Sequence, residues 1–105
     1  MPQFAVYRNA NPATRSTVPL LLDVQSDLIA DLGTRVVVPL CAAAAMKGKT
    51  LETLTPVFGI GGKRYVMVTP QLAGIARKQL GVQVGDLSAQ RDAIMAALDF
   101  LTSGI

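Results

Sequence analysis

Asp23, Asp27 and Arg35 are the residues of this chain whose types and spacing come nearest to a reaction centre. Two carboxylates four positions apart can divide acid and base work, and a nearby guanidinium can hold a phosphate. The same residues have a plainer use, in which one carboxylate caps a loop, the other is solvated, and Arg35 pairs with Asp27 or Asp31. The chain has one cysteine, Cys41, and no histidine. A cysteine nucleophile normally needs a histidine beside it, so Cys41, next to Ala42 to Ala45, reads as a small core hydrophobe. One thiol and scattered carboxylates do not make a tetrahedral zinc site. The chain has no phosphate-binding glycine loop ending in Lys-Ser/Thr and no nucleophile elbow. No covalent catalysis, metal or cofactor is expected.

The residues of that trio lie within the stretch Leu20 to Leu40, which organises the chain. Leu20, Leu22 and Val24 fall on one face of an extended segment, with Asp23 and Gln25 on the other. Val36, Val37 and Val38 are β-branched and suit a pleated, half-buried surface. Between them, Ser26 to Thr34 carries Asp27, Asp31 and Gly33 and reads as a polar connector. Two strands joined this way give the rest of a sheet something to pair with.

Around this pair, Gln3 to Arg8 reads as a first strand, with Phe4 and Val6 on one face and Tyr7 on the other. Asn9 to Thr17 reads as a loop available to a partner. Cys41 to Met46 is alanine-rich and predicts a short helix ended by Lys47-Gly48-Lys49. Leu51 and Leu54 point to one helical turn within Thr50 to Thr55. Val57 to Ile60 and Lys63 to Thr69 flank Gly61-Gly62, a hairpin signal because glycine reaches positive φ without steric penalty. Pro70 ends the second run. Gln71 to Gly85 predicts one further short strand. Ser88 to Thr102 predicts a helix, capped by Ser88, with Asp92 complementing the positive N-terminal dipole. Leu87, Ile94, Leu98 and Leu101 form its apolar stripe, widened by Met95 and Ala97, and Gly104 stops it. Ile105 then either folds back on the core or is presented to another protein.

At 105 residues, half of them apolar, the chain supports one domain with one modest core. The uncharged apolar segment Pro39 to Met46 is far below the ~20 residues of a membrane span. The opening MPQFAVYRN lacks the basic start and apolar core of a secretory signal, so a cytoplasmic location is expected. The net charge of +3 is spread without a basic run. Few aromatics accompany it, so specific nucleic-acid binding by the chain alone is not expected. The excess positive charge suits either plain solvation or an acidic partner.

The order of short motifs resembles the CcdB family of toxins from bacterial toxin–antitoxin modules. Asp23-Val24-Gln25-Ser26-Asp27 and Thr34-Arg35-Val36-Val37-Val38-Pro39-Leu40 carry the resemblance. It extends to Gln3-Phe4-x-Val6-Tyr7, Pro56-Val57-x-x-Ile60-Gly61, Met67-x-Thr69, Asp86-Leu87-Ser88 and Gly104-Ile105. The resemblance implies an α+β, mainly β fold: an SH3-like curled antiparallel sheet or barrel with one C-terminal helix. It implies a homodimer that binds the A subunit of DNA gyrase and traps the cleaved-DNA complex by binding, without acting as an enzyme. The implied gyrase-facing residues are Leu28, Ile29, Asp99, Thr102, Ser103, Gly104 and Ile105. It also implies neutralisation by a cognate antitoxin whose acidic, disordered C-terminal segment orders on the toxin, with contacts near the first strand and the Leu40–Lys49 segment. Thr102 and Ser103 stand where the family pattern has large aromatics. An aromatic anchor contributes at least ~2 kcal/mol, about thirtyfold in affinity. Two alternatives follow from the same fold. One is an endoribonuclease toxin using Asp23 or Asp27 with Arg35; the other is a non-toxic member that keeps dimer and antitoxin binding.

Overall fold

The computed structural model describes residues 2–26, 33–46, 51 and 53–104. A curled antiparallel sheet forms a half-barrel, with one helix packed at the C-terminal end of the chain. Its strands are β1 (Ala5–Asn9), β2 (Leu20–Asp23), β3 (Thr34–Ala42), β4 (Val57–Ile60), β5 (Lys63–Met67), β6 (Ala73–Ala76) and β7 (Leu80–Asp86). They are ordered β4-β5-β3-β2-β1-β7, with β6 also paired to β3. The helices are α1 (Ala43–Met46) and α2 (Arg91–Ser103).

The long strand β3 is the hub. It pairs with β2 through Leu20↔Leu40 to Asp23↔Val37. Its other side pairs first with β6, at Thr34 to Val37, then with β5, at Leu40 to Ala42. Pro39 sits at the switch between those two partners. Its carbonyl accepts the Val68 N–H at 2.9 Å just past β5. A proline is tolerated inside a central strand only where no ladder bond needs its missing N–H, and this junction is such a place.

One sheet face forms the core, where Val6, Leu20, Leu22, Val24, Val38, Leu40, Phe58 and Met67 pack with Leu87, Ile94 and Ala97. The opposite face is also largely dry: Tyr7, Leu21, Val37, Asp23 and Arg35 are all buried there. The alternation predicted for β2 is therefore present, but its polar residues do not face water.

The Gly61-Gly62 hairpin forms as the sequence predicts, with Val57↔Val66 to Ile60↔Lys63 in register. Both glycines adopt positive φ, 58° and 82°, the combination a two-residue turn between right-twisted strands requires. The predicted turn at Leu51 also forms, Thr55 donating its N–H to the Leu51 carbonyl at 2.7 Å. Ends differ elsewhere. The first strand begins at Ala5, because Pro2 to Ala5 forms a tight turn in which the Ala5 N–H reaches the Pro2 carbonyl at 3.3 Å. Phe4 takes φ 72° in that turn, the only such non-glycine among the described residues. Left-handed strain of this kind costs about 1–3 kcal/mol, and burial of the ring offsets it. Cys41 belongs to β3, so α1 is shorter than predicted.

The stretch from Gln71 to Gly85 holds two strands where one was expected. The glycines that obscured the pattern have separate uses. A Cβ at Gly81 would lie 2.9 Å from the Arg8 carbonyl oxygen, so only glycine allows β7 to approach β1 at their bulge. Gly85 faces Ile60 across the gap between the sheet's two ends, β7 and β4, where an added methyl would stand 3.4 Å from Ile60 Cγ2.

Helix α2 starts three residues later than predicted, after a 3-10 turn over Ser88–Gln90. Ser88 does not cap it. Instead the Ser88 N–H donates to Asp86 Oδ1 at 2.8 Å, and the Ser88 hydroxyl, with that N–H second, holds the Asp86 carboxyl below its usual range. Ile94 and Ala97 carry the buried stripe, while Leu101 is exposed. Gly104 stops the helix in the left-handed conformation, φ 73°, its N–H bonded to the Phe100 carbonyl at 2.9 Å.

Candidate functional site

The C-terminal end of α2 stands clear of the core. Asp99, Phe100, Leu101, Thr102, Ser103 and Gly104 are all exposed. Phe100 and Leu101 leave more than a third of their surface to solvent, at 36% and 38%. The helix end is electrically negative. The last turn has no basic residue, Asp99 lies in it, and the backbone dipole adds partial negative charge at the same end. A cation-rich partner surface would relieve that accumulation.

The hydroxyls at this end are turned inward along the helix. Ser103 Oγ donates to the Asp99 carbonyl at 2.7 Å. Thr102 Oγ1 lies 3.2 Å from both the Leu98 and Asp99 carbonyls. Such back-bonding uses the donor locally, leaving Phe100 and Leu101 as the large groups of the tip. Phe100 was not among the residues singled out from the sequence. It falls off the Leu87, Ile94, Leu98 stripe, and that displacement is the signal that exposes it. Of the predicted set, Asp99, Thr102, Ser103 and Gly104 come together here. Leu28, Ile29 and Ile105 lie outside the described residues, as do Asp27 and Asp31.

The candidate acid–base trio resolves differently. Arg35 Nε donates to Asp23 Oδ2 at 2.7 Å, and both side chains have no exposed surface. Asp23 was not the partner expected for Arg35, but the register explains it. Asp23 stands opposite Val37, so Arg35, two residues away, is its diagonal neighbour on the same face. Asp23 Oδ1 takes the Gln25 N–H at 3.0 Å, and Gln25 Oε1 takes the Val36 N–H at 3.0 Å. The carboxylate does close the loop base as predicted, yet it is also the buried half of an ion pair. A polynucleotide cannot reach it.

Two hollows lie on the surface of the described residues. One, of about 540 Å³, is lined by Ala42, Ala43, Ala44, Lys63 and Arg64. It joins the beginning of α1 to the basic hairpin, and Ala42, Ala43 and Ala44 of its lining fall in the Leu40–Lys49 segment expected to meet an acidic peptide. The other, about 250 Å³, lies between the Asn9–Thr17 loop and β6, lined by Asn9, Asn11, Thr14, Val18, Ile75 and Gln79 among others. Asn9 braces that loop, donating from Nδ2 to Thr14 Oγ1 and the Val18 carbonyl, each at 2.9 Å. Cys41 is half-buried, and burial pushes its thiol pKa up, away from nucleophilic use.

No cluster of three or more His, Cys, Asp or Glu side chains suited to a metal occurs among the described residues. No described helix is long and apolar enough to cross a membrane. A family model described as CcdB protein matches residues 3–104, nearly the whole chain, from the Gln3-Phe4 opening to the helix cap. Together with the half-barrel and its single C-terminal helix, that match places this protein in the CcdB family, the gyrase-directed toxins of toxin–antitoxin modules.

Proposed function

We infer that the protein binds the A subunit of DNA gyrase through the exposed end of α2 and traps the cleaved-DNA complex. The observation that carries this reading is the helix tip itself: Phe100 and Leu101 unburied beside Asp99, on a helix fixed by the Gly104 cap. Large apolar groups next to a charge, on a rigid element, are what a protein-binding hot spot is made of. The action is by binding. A homodimer would present two such tips, and the exposed Leu72, beside the 3-10 turn that α2 touches, offers apolar area for the contact between copies.

Neutralisation falls to a cognate antitoxin with an acidic, disordered C-terminal segment. Lys63 and Arg64 at the rim of the alanine-floored hollow suit it, since charge attraction helps offset the ordering of a disordered peptide. A supercoiling assay with detection of cleaved DNA tests the target. The expected result is inhibition and accumulation of cleaved plasmid at micromolar protein, relieved by the antitoxin peptide. No binding to the A subunit and no trapped cleavage at that concentration would remove gyrase as the target.

One observation favours a second reading. With Thr102 and Ser103 bonded back onto their own helix, the tip lacks the aromatic pair of the family pattern, as a non-toxic member would. Induced expression separates the two: growth arrest supports the toxin, and harmless accumulation of soluble dimer supports the second reading. The endoribonuclease reading gains nothing from the Asp23–Arg35 pair, which is shut away from solvent.

A further inference from the structure

The strand end that leads to the connector and the root of α2 are both fastened to Gln3 and Phe4. The Phe4 N–H donates to the Asp23 carbonyl at 2.6 Å, and the Phe4 carbonyl accepts the Leu87 N–H at 2.8 Å. Gln3 Nε2 donates to the Val24 carbonyl at 3.1 Å. Leu87 is the residue immediately before the turns that open into α2. A single dipeptide thus bridges β2 and the helix root, which are more than sixty positions apart in the sequence.

The dipeptide is held hard. Phe4 occupies the third position of the Pro2–Ala5 turn at φ 72°, a place where glycine relieves strain. The sequence keeps phenylalanine, whose ring is 3% exposed in the core. A buried ring therefore pins a strained backbone unit whose N–H and C=O each reach a different element. On the β2 side the anchor is itself braced, because Asp23 also binds Gln25 and Arg35. Strain that persists because its surroundings over-determine it is a mark of positioning rather than of accident.

We propose that the Pro2–Ala5 turn is a clamp and Gln3 its positioning residue, fixing the root of α2 against the end of β2. The direction in which Asp99 to Gly104 are presented follows from that fixture. This deepens the gyrase reading and rests on it for the identity of the partner, while the clamp itself rests on the hydrogen bonds alone.

The test compares wild type with Gln3→Leu and with Gln3→Glu, an isostere that cannot donate to Val24. Gln83→Leu serves as control, since Gln83 is exposed and bonds within its own strand, to the Gly85 carbonyl. Amide hydrogen exchange by NMR is read at Leu87, and affinity for purified gyrase A subunit is read by calorimetry. Both Gln3 variants are expected to exchange the Leu87 amide roughly tenfold faster and to bind the A subunit about fivefold more weakly, with thermal midpoints near that of the control. Unchanged exchange at Leu87 overturns the clamp, and so does faster exchange with unchanged affinity. Exchange raised evenly across the sheet would mean ordinary destabilisation and overturns it too. If wild type itself fails to bind the A subunit, the gyrase reading falls and the Leu87 exchange alone decides the clamp.

Discussion

The buried pair of Asp23 and Arg35 is the strongest single-residue commitment of the fold. Removing one member leaves the other charge without compensation, and Asp23→Ala is expected to destabilise by about 3–5 kcal/mol in urea unfolding. Replacing both, as Asp23→Leu with Arg35→Met, should recover most of that loss, because the pair must itself be desolvated. Tyr7 reports on the same pocket. Burial raises its phenol pKa, and the Asp23 carboxylate adds to the rise. The folded chain therefore holds that proton more tightly than the unfolded one. Its contribution is complete below about pH 10 and is lost as the pH climbs through and beyond that value. Tyr7→Phe should flatten the alkaline limb of the stability curve, measured by urea unfolding from neutral to strongly alkaline pH. At the helix tip, Ser103→Trp restores a large aromatic near Phe100 and should tighten gyrase binding at least about thirtyfold. That Asp99, Thr102, Ser103 and Gly104 share one exposed helix end was legible from their order along the chain, while the exposure of Phe100 was not. The partner of Arg35 was not, because a diagonal contact depends on register, and register is set by the whole sheet.

At the scale of elements, two glycines of β7 should respond in opposite directions. Gly81→Ala drives a methyl into the Arg8 carbonyl at 2.9 Å. Neighbouring backbone cannot yield easily, so a loss of about 1–3 kcal/mol is expected. Gly85→Ala adds a methyl at ordinary contact distance from Ile60 and Val6, 3.4 and 3.8 Å. It should be neutral or stabilise by up to about 1 kcal/mol, through reduced freedom of the unfolded chain. Thermal unfolding of the two variants side by side checks both. The elements that announced themselves in the sequence were those with a local cause. Gly61-Gly62 makes its own turn, and the β-branched run Val36 to Val38 makes its own strand. β6 and β7 could not be told apart locally, because Gly81 and Gly85 serve close approach to distant strands, which no local pattern records. Ser88 gave up its expected capping place for a similar reason: the Leu87 N–H is bonded to Phe4 and the Ser88 N–H to Asp86, and a 3-10 turn precedes α2, which no side chain caps.

At the scale of the molecule, exposed charge among the described residues is segregated along the chain. The exposed described acids, Asp86, Asp92 and Asp99, belong to the end of β7 and to α2. Arg8, Arg15, Lys63, Arg64, Arg77 and Lys78 are exposed on the rest, with Arg91 the one described cation among the acids. In the proposed function, the basic region meets the acidic peptide and the acidic tip a basic partner. Raising salt from low to physiological strength should slow association with both, more than it speeds dissociation, as stopped-flow measurements would read. A last consequence comes from where Ile60 meets Gly85. The two ends of the half-barrel come nearest there through the Ile60 side chain, close enough that a methyl added at Gly85 would touch it. The width of that opening depends on the Ile60 side chain, since Gly85 has none. Ile60→Ala should let the ends part and admit water, while every rung between the strands stays in place.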